Sequence, residues 1–219
     1  MALTRFGHDQ PIASALLELK QIAKRWEAES PNDRLRQLRE ESAEYLWGLV
    51  IAHGPRLALE IGGGSGVSTI WIASALRMCS GHLVSIEPDG DRRALARRMV
   101  SSAGLQSIVR IIASVPDSKA LRRMVVKGLA FVFLDCWKQD YLRFAEMLLP
   151  FMGPGSLLVA DNVLSHRDKL SEFLKLLAGL DGEKRTASGI VPVGDGLSIT
   201  RVLSTFSRAA LRHPNELEV

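Results

Sequence analysis

Cysteine is scarce in this chain of 219 residues. Its two cysteines, Cys79 and Cys136, lie far apart and form no metal-ligand spacing, which sets aside both a disulfide framework and a zinc site. Long apolar runs are missing as well. Residues 46–52 and 157–160 fall far short of the roughly 20 that a membrane helix requires, so no membrane partner is expected. The opening residues, MALTRFGHDQ, lack the apolar core of a signal peptide, and a cytoplasmic location is the expectation. There is no internal repeat, no low-complexity segment and no lysine-rich tail: the net charge of +4 comes from dispersed arginines. The densest group, Arg92, Arg93, Arg97 and Arg98, has helical spacing around Ala94, Leu95 and Ala96 and reads as the outer face of an amphipathic helix. Without interleaved aromatic residues it offers no nucleic-acid motif, and no nucleic-acid partner is expected.

What is present is a globular composition, 47% hydrophobic and 24% charged, long enough for one well-buried domain and short for two. Residues 12–26 and 35–50 carry apolar side chains at helical steps, the second run capped by Asn32 or Asp33 and ended by Gly54-Pro55. These two helices, residues 1–55, form an N-terminal extension that covers a sheet edge and could serve as a substrate lid. From residue 57 short apolar runs alternate with helices: strands over 57–61, 82–86, 109–112, 130–134 and 157–160, helices over 67–78, 91–103, 118–126, 139–151 and 165–180, the last with Asp168 in a capping box. Continuously hydrophobic strands separated by helices predict a parallel sheet covered on both faces. Residues 190–193 and 197–203, joined by Gly194-Asp195-Gly196, predict an antiparallel hairpin at its edge. The expectation is one α/β, Rossmann-like domain with a mostly parallel seven-stranded sheet, its core over 56–203, and a tail over 204–219.

The core is organised around LEIGGGSGVS, residues 59–68, in which a strand runs into a glycine-rich turn and then a helix N-terminus. A dinucleotide fingerprint needs G-x-G-x-x-G/A, yet counting from Gly62 the last position is Val67, and from Gly64 it is Thr69. Glu60 beside the loop would repel a pyrophosphate but suits a ligand bearing ammonium and sulfonium groups. The loop therefore favours S-adenosylmethionine over a nicotinamide cofactor, and Glu87, closing the second strand, is placed for ribose hydroxyls in either case.

Two later strands end in polar residues, Asp135-Cys136-Trp137-Lys138 and Asp161-Asn162. Beyond the carboxyl ends of an open α/β sheet these groups should converge. Two carboxylates and an amide oxygen form a hard donor set suited to Mg²⁺, Mn²⁺ or Ca²⁺. Lys138, in the same cleft, would have its pKa lowered by a dication and a dry pocket, as a general base requires.

The segments VFLDCWKQDYL, residues 132–142, and LLVADNV, residues 157–163, resemble the metal and catalytic motifs of the cation-dependent, catechol O-methyltransferase-like class I O-methyltransferases. The similarity runs over residues 46–203. It implies Asp135, Asp161 and Asn162 as metal ligands and Lys138 as the base. It also implies a cofactor site in which Glu60, Gly62, Gly64, Gly66 and Ser68 hold the methionine part and Glu87 the ribose, with Ser114 and Trp137 at the adenine and Asp135 a further cofactor contact. The implied reaction is methylation of one hydroxyl of a catechol-like small molecule, with a homodimer as an open assembly state. Two positions depart from the pattern: Cys136 stands where animal-type relatives carry histidine, and Gly189 stands where they carry a substrate-orienting glutamate. The alternatives are a nicotinamide-dependent oxidoreductase and a methyltransferase acting on a sugar hydroxyl or RNA.

Overall fold

The computed structural model describes residues 9–30, 33, 35, 37–126 and 128–206. Helices α1 (Gln10–Glu29) and α2 (Glu40–His53) precede β1 (Leu57–Ile61), α3 (Val67–Met78), β2 (His82–Ile86), α4 (Gly90–Ser102), β3 (Val109–Ile112), α5 (Ser118–Val126) and β4 (Leu129–Leu134). A 3₁₀ turn (Lys138–Asp140) then leads into α6 (Tyr141–Leu148), followed by β5 (Leu157–Ala160), α7 (Ser171–Gly182), β6 (Thr186–Val191) and β7 (Leu197–Val202).

The seven strands lie in the order β3-β2-β1-β4-β5-β7-β6. The first five are parallel, and β7 runs antiparallel to both β5 and β6. The expected fold class and C-terminal hairpin are therefore what forms. All five residues of β1 are buried because both faces of the sheet are covered, which is why its sequence shows no alternation. On one face Ala58, Phe131, Phe133 and Val159 pack with Leu16, Leu46, Ile70 and Met99 from α1–α4. On the other, Leu59, Val132, Leu134 and Leu158 pack with Phe144, Leu148, Phe173 and Leu177 from α6 and α7. Each such side chain, fully buried, contributes about 1.5–3 kcal/mol.

The N-terminal helices therefore cover a face of the sheet, against α3 and α4, rather than its edge. The arginines of α4 join in this packing: Arg92 pairs with Asp33, Arg98 with Glu18 in α1 at 3.6 Å, and Arg97 donates to the Ile111 carbonyl. Gly54, in the left-handed region at φ 62°, closes α2 as expected. Its start differs, however: α2 begins at Glu40 behind Arg39 with no side-chain cap, while Leu35 and Leu38 are buried from the preceding loop. Asn32 and the tail beyond residue 206 lie outside the described residues.

Three further boundaries differ from expectation. Residues 163–170 form turns, and the Asp195 carbonyl takes the Ser165 amide that Asp168 would accept in a capping box. α7 consequently starts at Ser171, and Asp168 does not cap it. The expected helix over 139–151 is α-helical only over α6, with 3₁₀ turns at Lys138–Asp140 and Leu149–Phe151, the latter at Pro150. Finally, β6 starts four residues early, at Thr186. It is the outermost strand and mostly exposed, so nothing hydrophobic marks its first half. Asp181 in α7 secures it, accepting from Thr186 Oγ1 (2.5 Å), Ser188 Oγ (3.0 Å) and the Ser188 amide (3.1 Å).

Candidate active site

The parallel register aligns Ile61 with Ile86 and Leu134, Ile86 with Ile112, and Leu134 with Ala160. The residues following these strands thus emerge along one edge of the sheet, the edge where open α/β folds bind ligands. Backbone bonds continue the stagger beyond it: the Gly62 and Gly63 amides donate to the Ile86 carbonyl, Asp135 to Ile61 and Asp161 to Leu134.

The glycine loop is shaped by three left-handed glycines, Gly62, Gly64 and Gly66. A side chain on Gly62 would run into the Asp135 backbone, so loop and β4 end are in contact. The Gly64 amide donates to Glu87 Oε2 at 2.8 Å, and Glu87 Oε1 accepts from the Asp89 amide at 2.9 Å. Loop and β2 end are therefore fastened through the acid expected at the ribose. Asp89 in turn caps α4, accepting from the Arg92 amide at 2.8 Å.

Glu60 is fully buried beneath the loop. Its Oε2 accepts from Thr69 Oγ1 and Ser85 Oγ, both at 2.6 Å, while Oε1 has no hydrogen-bond partner. Burial pushes its carboxyl above the usual range, partly offset by Ser68, Ser85 and Thr69. An orphaned buried carboxylate oxygen fits a ligand that brings an ammonium donor. Ser68, buried in the first turn of α3, stands beside it; Ser114 is exposed just beyond β3, next to the β2 end, and Trp137 is 63% exposed.

At the β4 and β5 ends Lys138 Nζ lies 3.2 Å from Asp135 Oδ1, 3.2 Å from the Cys136 carbonyl and 2.8 Å from the Tyr141 hydroxyl. Tyr141, fully buried, donates to the Asp161 carbonyl at 3.2 Å. Burial, then the charge of Asp135, push the Tyr141 hydroxyl well above its ordinary range, so it stays protonated. Asp161 is 3% exposed, and its Oδ1 is unpartnered. Burial first and the neighbouring Asp135 charge second raise its carboxyl to about 7. Asn162 follows with φ 63°, a conformation asparagine tolerates better than most residues. Among the described residues no three His, Cys, Asp or Glu side chains cluster as a metal centre; the expected third donor here is an amide. Two mutually repelling carboxylates, one with a bare buried oxygen, fit a hard cation. Burial lifts the Cys136 thiol to about 12, which disfavours its thiolate.

A family model described as O-methyltransferase matches residues 13–203, most of the chain. The chain belongs to this O-methyltransferase family. Its curated relatives include a catechol O-methyltransferase of Niastella koreensis, 36% identical over 52% of this chain and 52% of its own length, and one of Sus scrofa, 34% identical over 50% and 61%. The chain thus spans about half the length of these relatives. Among solved structures, an O-methyltransferase from Bacillus cereus in complex with SAH superimposes with a TM-score of 0.69 over 92% of this chain and all of that one, at 24% identity. The Streptomyces achromogenes O-methyltransferase TomG, in complex with SAM, gives 0.69 over 93% and 100%, at 23%. Family membership removes the oxidoreductase alternative.

Pattern reading missed four residues of this candidate site. Thr69 and Ser85 hold Glu60; the signal was a serine in the otherwise apolar strand HLVSI and a hydroxyl pair in VSTI. Gly63, outside the G-x-G count, is pressed against all three, for a side chain there would meet Ser85 Oγ, Thr69 Oγ1 and Glu60 Oε2. Tyr141 was signalled only by lying three residues beyond Lys138. At the rim, Arg39 Nε pairs with Asp195 Oδ2 at 2.8 Å and Ser42 Oγ donates to the Val193 carbonyl at 3.4 Å, joining α2 to the β6–β7 turn. Gly189 is exposed, and a side chain there would meet nothing within 4 Å.

Proposed function

We propose that the protein is an S-adenosylmethionine-dependent O-methyltransferase that uses a divalent cation to methylate one hydroxyl of a catechol-like, vicinal dihydroxy small molecule. The observation that carries this reading is Lys138, its ammonium 3.2 Å from Asp135 at one strand end and joined through Tyr141 to Asp161 at the next. The catechol O-methyltransferase names of the curated relatives and the SAH and SAM in the similar structures support the same choice of acceptor and donor.

Glu60, the loop glycines and Ser68 bind the methionine part, Glu87 binds the ribose hydroxyls, and Ser114 and Trp137 border the adenine. Asp135, Asp161 and Asn162 would hold Mg²⁺, or Mn²⁺ or Ca²⁺, which when bound acidifies the acceptor hydroxyls, while the cofactor supplies the methyl group. Lys138 Nζ takes the proton of the hydroxyl to be methylated, a role worth typically 10²- to 10⁴-fold in rate. The loop and the two strand ends would orient donor and acceptor toward each other, the positioning on which such a transfer depends. With Arg39 tied to Asp195, the start of α2 borders the β6–β7 turn, from which the N-terminal helices would serve as a lid for the acceptor.

Chelation tests the reading. Adding EDTA should abolish methyl transfer from labelled cofactor to a catechol, and Mg²⁺ should restore it. Turnover unchanged by EDTA rules out a cation-assisted reaction, and no turnover across a panel of ortho-dihydroxy compounds rules out the acceptor class.

A further inference from the structure

Lys138 Nζ carries three protons as an ammonium, and all three have acceptors: Asp135 Oδ1, the Cys136 carbonyl and the Tyr141 hydroxyl. As a base it must hold two protons and one lone pair, so one of these contacts has to give way. The three are not equally replaceable. The Cys136 carbonyl is backbone, and the Tyr141 hydroxyl is fixed: the side chain is fully buried, stands edge-on to Phe173 of α7 at 5.6 Å, and spends its own proton on the Asp161 carbonyl. The Lys138 nitrogen also lies 4.8 Å from the Tyr141 ring centre, which resists its swinging outward. Of the three, only Asp135 is an expected cation ligand, so its carboxylate would be shared with a bound cation.

From this juxtaposition we infer that Tyr141 is the positioning residue of the site: with the Cys136 carbonyl it holds Lys138 Nζ at two points, so that the free valence faces the Asp135 side, where the acceptor hydroxyl is deprotonated. Because the Tyr141 proton is bound to the Asp161 backbone, base and β5 strand end also keep a fixed separation. This assignment rests on Lys138 being the base, as proposed above.

Tyr141→Phe removes the hydroxyl and keeps the ring. Affinity for S-adenosylhomocysteine should stay within about twofold and the acceptor KM within about threefold, while kcat falls about 10- to 100-fold, the scale of a small misplacement of a reacting group. With an unsymmetrical catechol the ratio of the two monomethyl products should move toward unity, which loss of stability alone would not cause. Wild-type kcat and product ratio in the variant overturn the assignment. Nitrogen-15 NMR of the lysine ammonium groups gives a readout without turnover. The wild type should show one exchange-protected ammonium, identified by its absence in Lys138→Met and lost in Tyr141→Phe. Should Tyr141→Phe not fold, the wild-type spectrum decides, because no protected Lys138 ammonium means no such cradle. A wild type inactive on every catechol would sink the proposed function instead, leaving the NMR comparison to judge the cradle.

Discussion

Gly63 offers a direct measure of how tightly the loop is seated on Glu60. Its backbone is not left-handed, so alanine meets no conformational penalty there; the only obstacle is the ring of Ser85 Oγ, Thr69 Oγ1 (3.2 Å) and Glu60 Oε2 (3.3 Å). In Gly63→Ala the Ser85 hydroxyl must move, giving up its 2.6 Å bond to Glu60. A hydrogen bond to a carboxylate contributes about 1.5–3 kcal/mol. Replacing glycine with alanine returns about 0.4–1 kcal/mol by restricting the unfolded chain. The net loss is therefore about 1–2 kcal/mol, or roughly 2–8 °C in Tm for a chain of this size. If the loop relieves the clash by lifting off Glu60, affinity for S-adenosylhomocysteine falls by about tenfold, equivalent to about 1.4 kcal/mol. Two neighbours calibrate the result. Gly62→Ala combines a φ of 95° with a collision against the Asp135 backbone and should lose about 2–6 kcal/mol. Gly90→Ala, at the start of α4 with nothing within 4 Å, should be neutral or gain a few tenths. Differential scanning calorimetry and titration calorimetry on the three variants give the order. If Gly63→Ala matches Gly90→Ala in both Tm and affinity, the contact between loop and buried acid does not govern the site.

Lys138→Ala should leave cofactor affinity unchanged and lower kcat by about 10²- to 10⁴-fold in a labelled-methyl assay. Asp161→Asn removes a buried charge whose Oδ1 lacks a partner and which Asp135 repels, so in EDTA its Tm should exceed that of the wild type, while Mg²⁺ no longer stabilises it. His53, which bonds the Ala130 carbonyl at 3.0 Å, has its pKa lowered below 6.5, first by burial. The unfolded chain therefore binds this proton more readily, and the stability His53 contributes above pH 6.5 is lost as pH falls through its folded pKa. Urea denaturation between pH 7.5 and 5 should show a shallower acid loss in His53→Gln.

Legibility of the chain followed burial. The inner strands β1 and β5 were readable to the residue because a doubly covered sheet writes itself as nearly unbroken apolar runs. The outer strand β6 was half invisible, since Thr186–Val191 is exposed and the hydrogen bonds that hold it leave no hydrophobic trace. Helical spacing misled where a loop buried Leu35 and Leu38, and a plausible cap at Asp168 lost to the carbonyl of Asp195, a residue distant in sequence. In the site, charged groups at strand ends were legible because topology brings them to one edge. Their uncharged supports were not: Thr69, Ser85 and Tyr141 act through single hydroxyls whose partners lie on other elements.

The grip of Asp181 on β6 bears on how the protein behaves at high concentration. Between Thr186 and Val191 the rim strand, TASGIV, has neither proline nor charge, the composition that invites a strand from a second molecule to add to an open edge. Asp181 occupies the Ser188 amide, so an incoming strand would find one ladder donor already taken and a carboxylate in its path. One acid on the neighbouring helix thus does for this rim what lysines or a bulge do elsewhere.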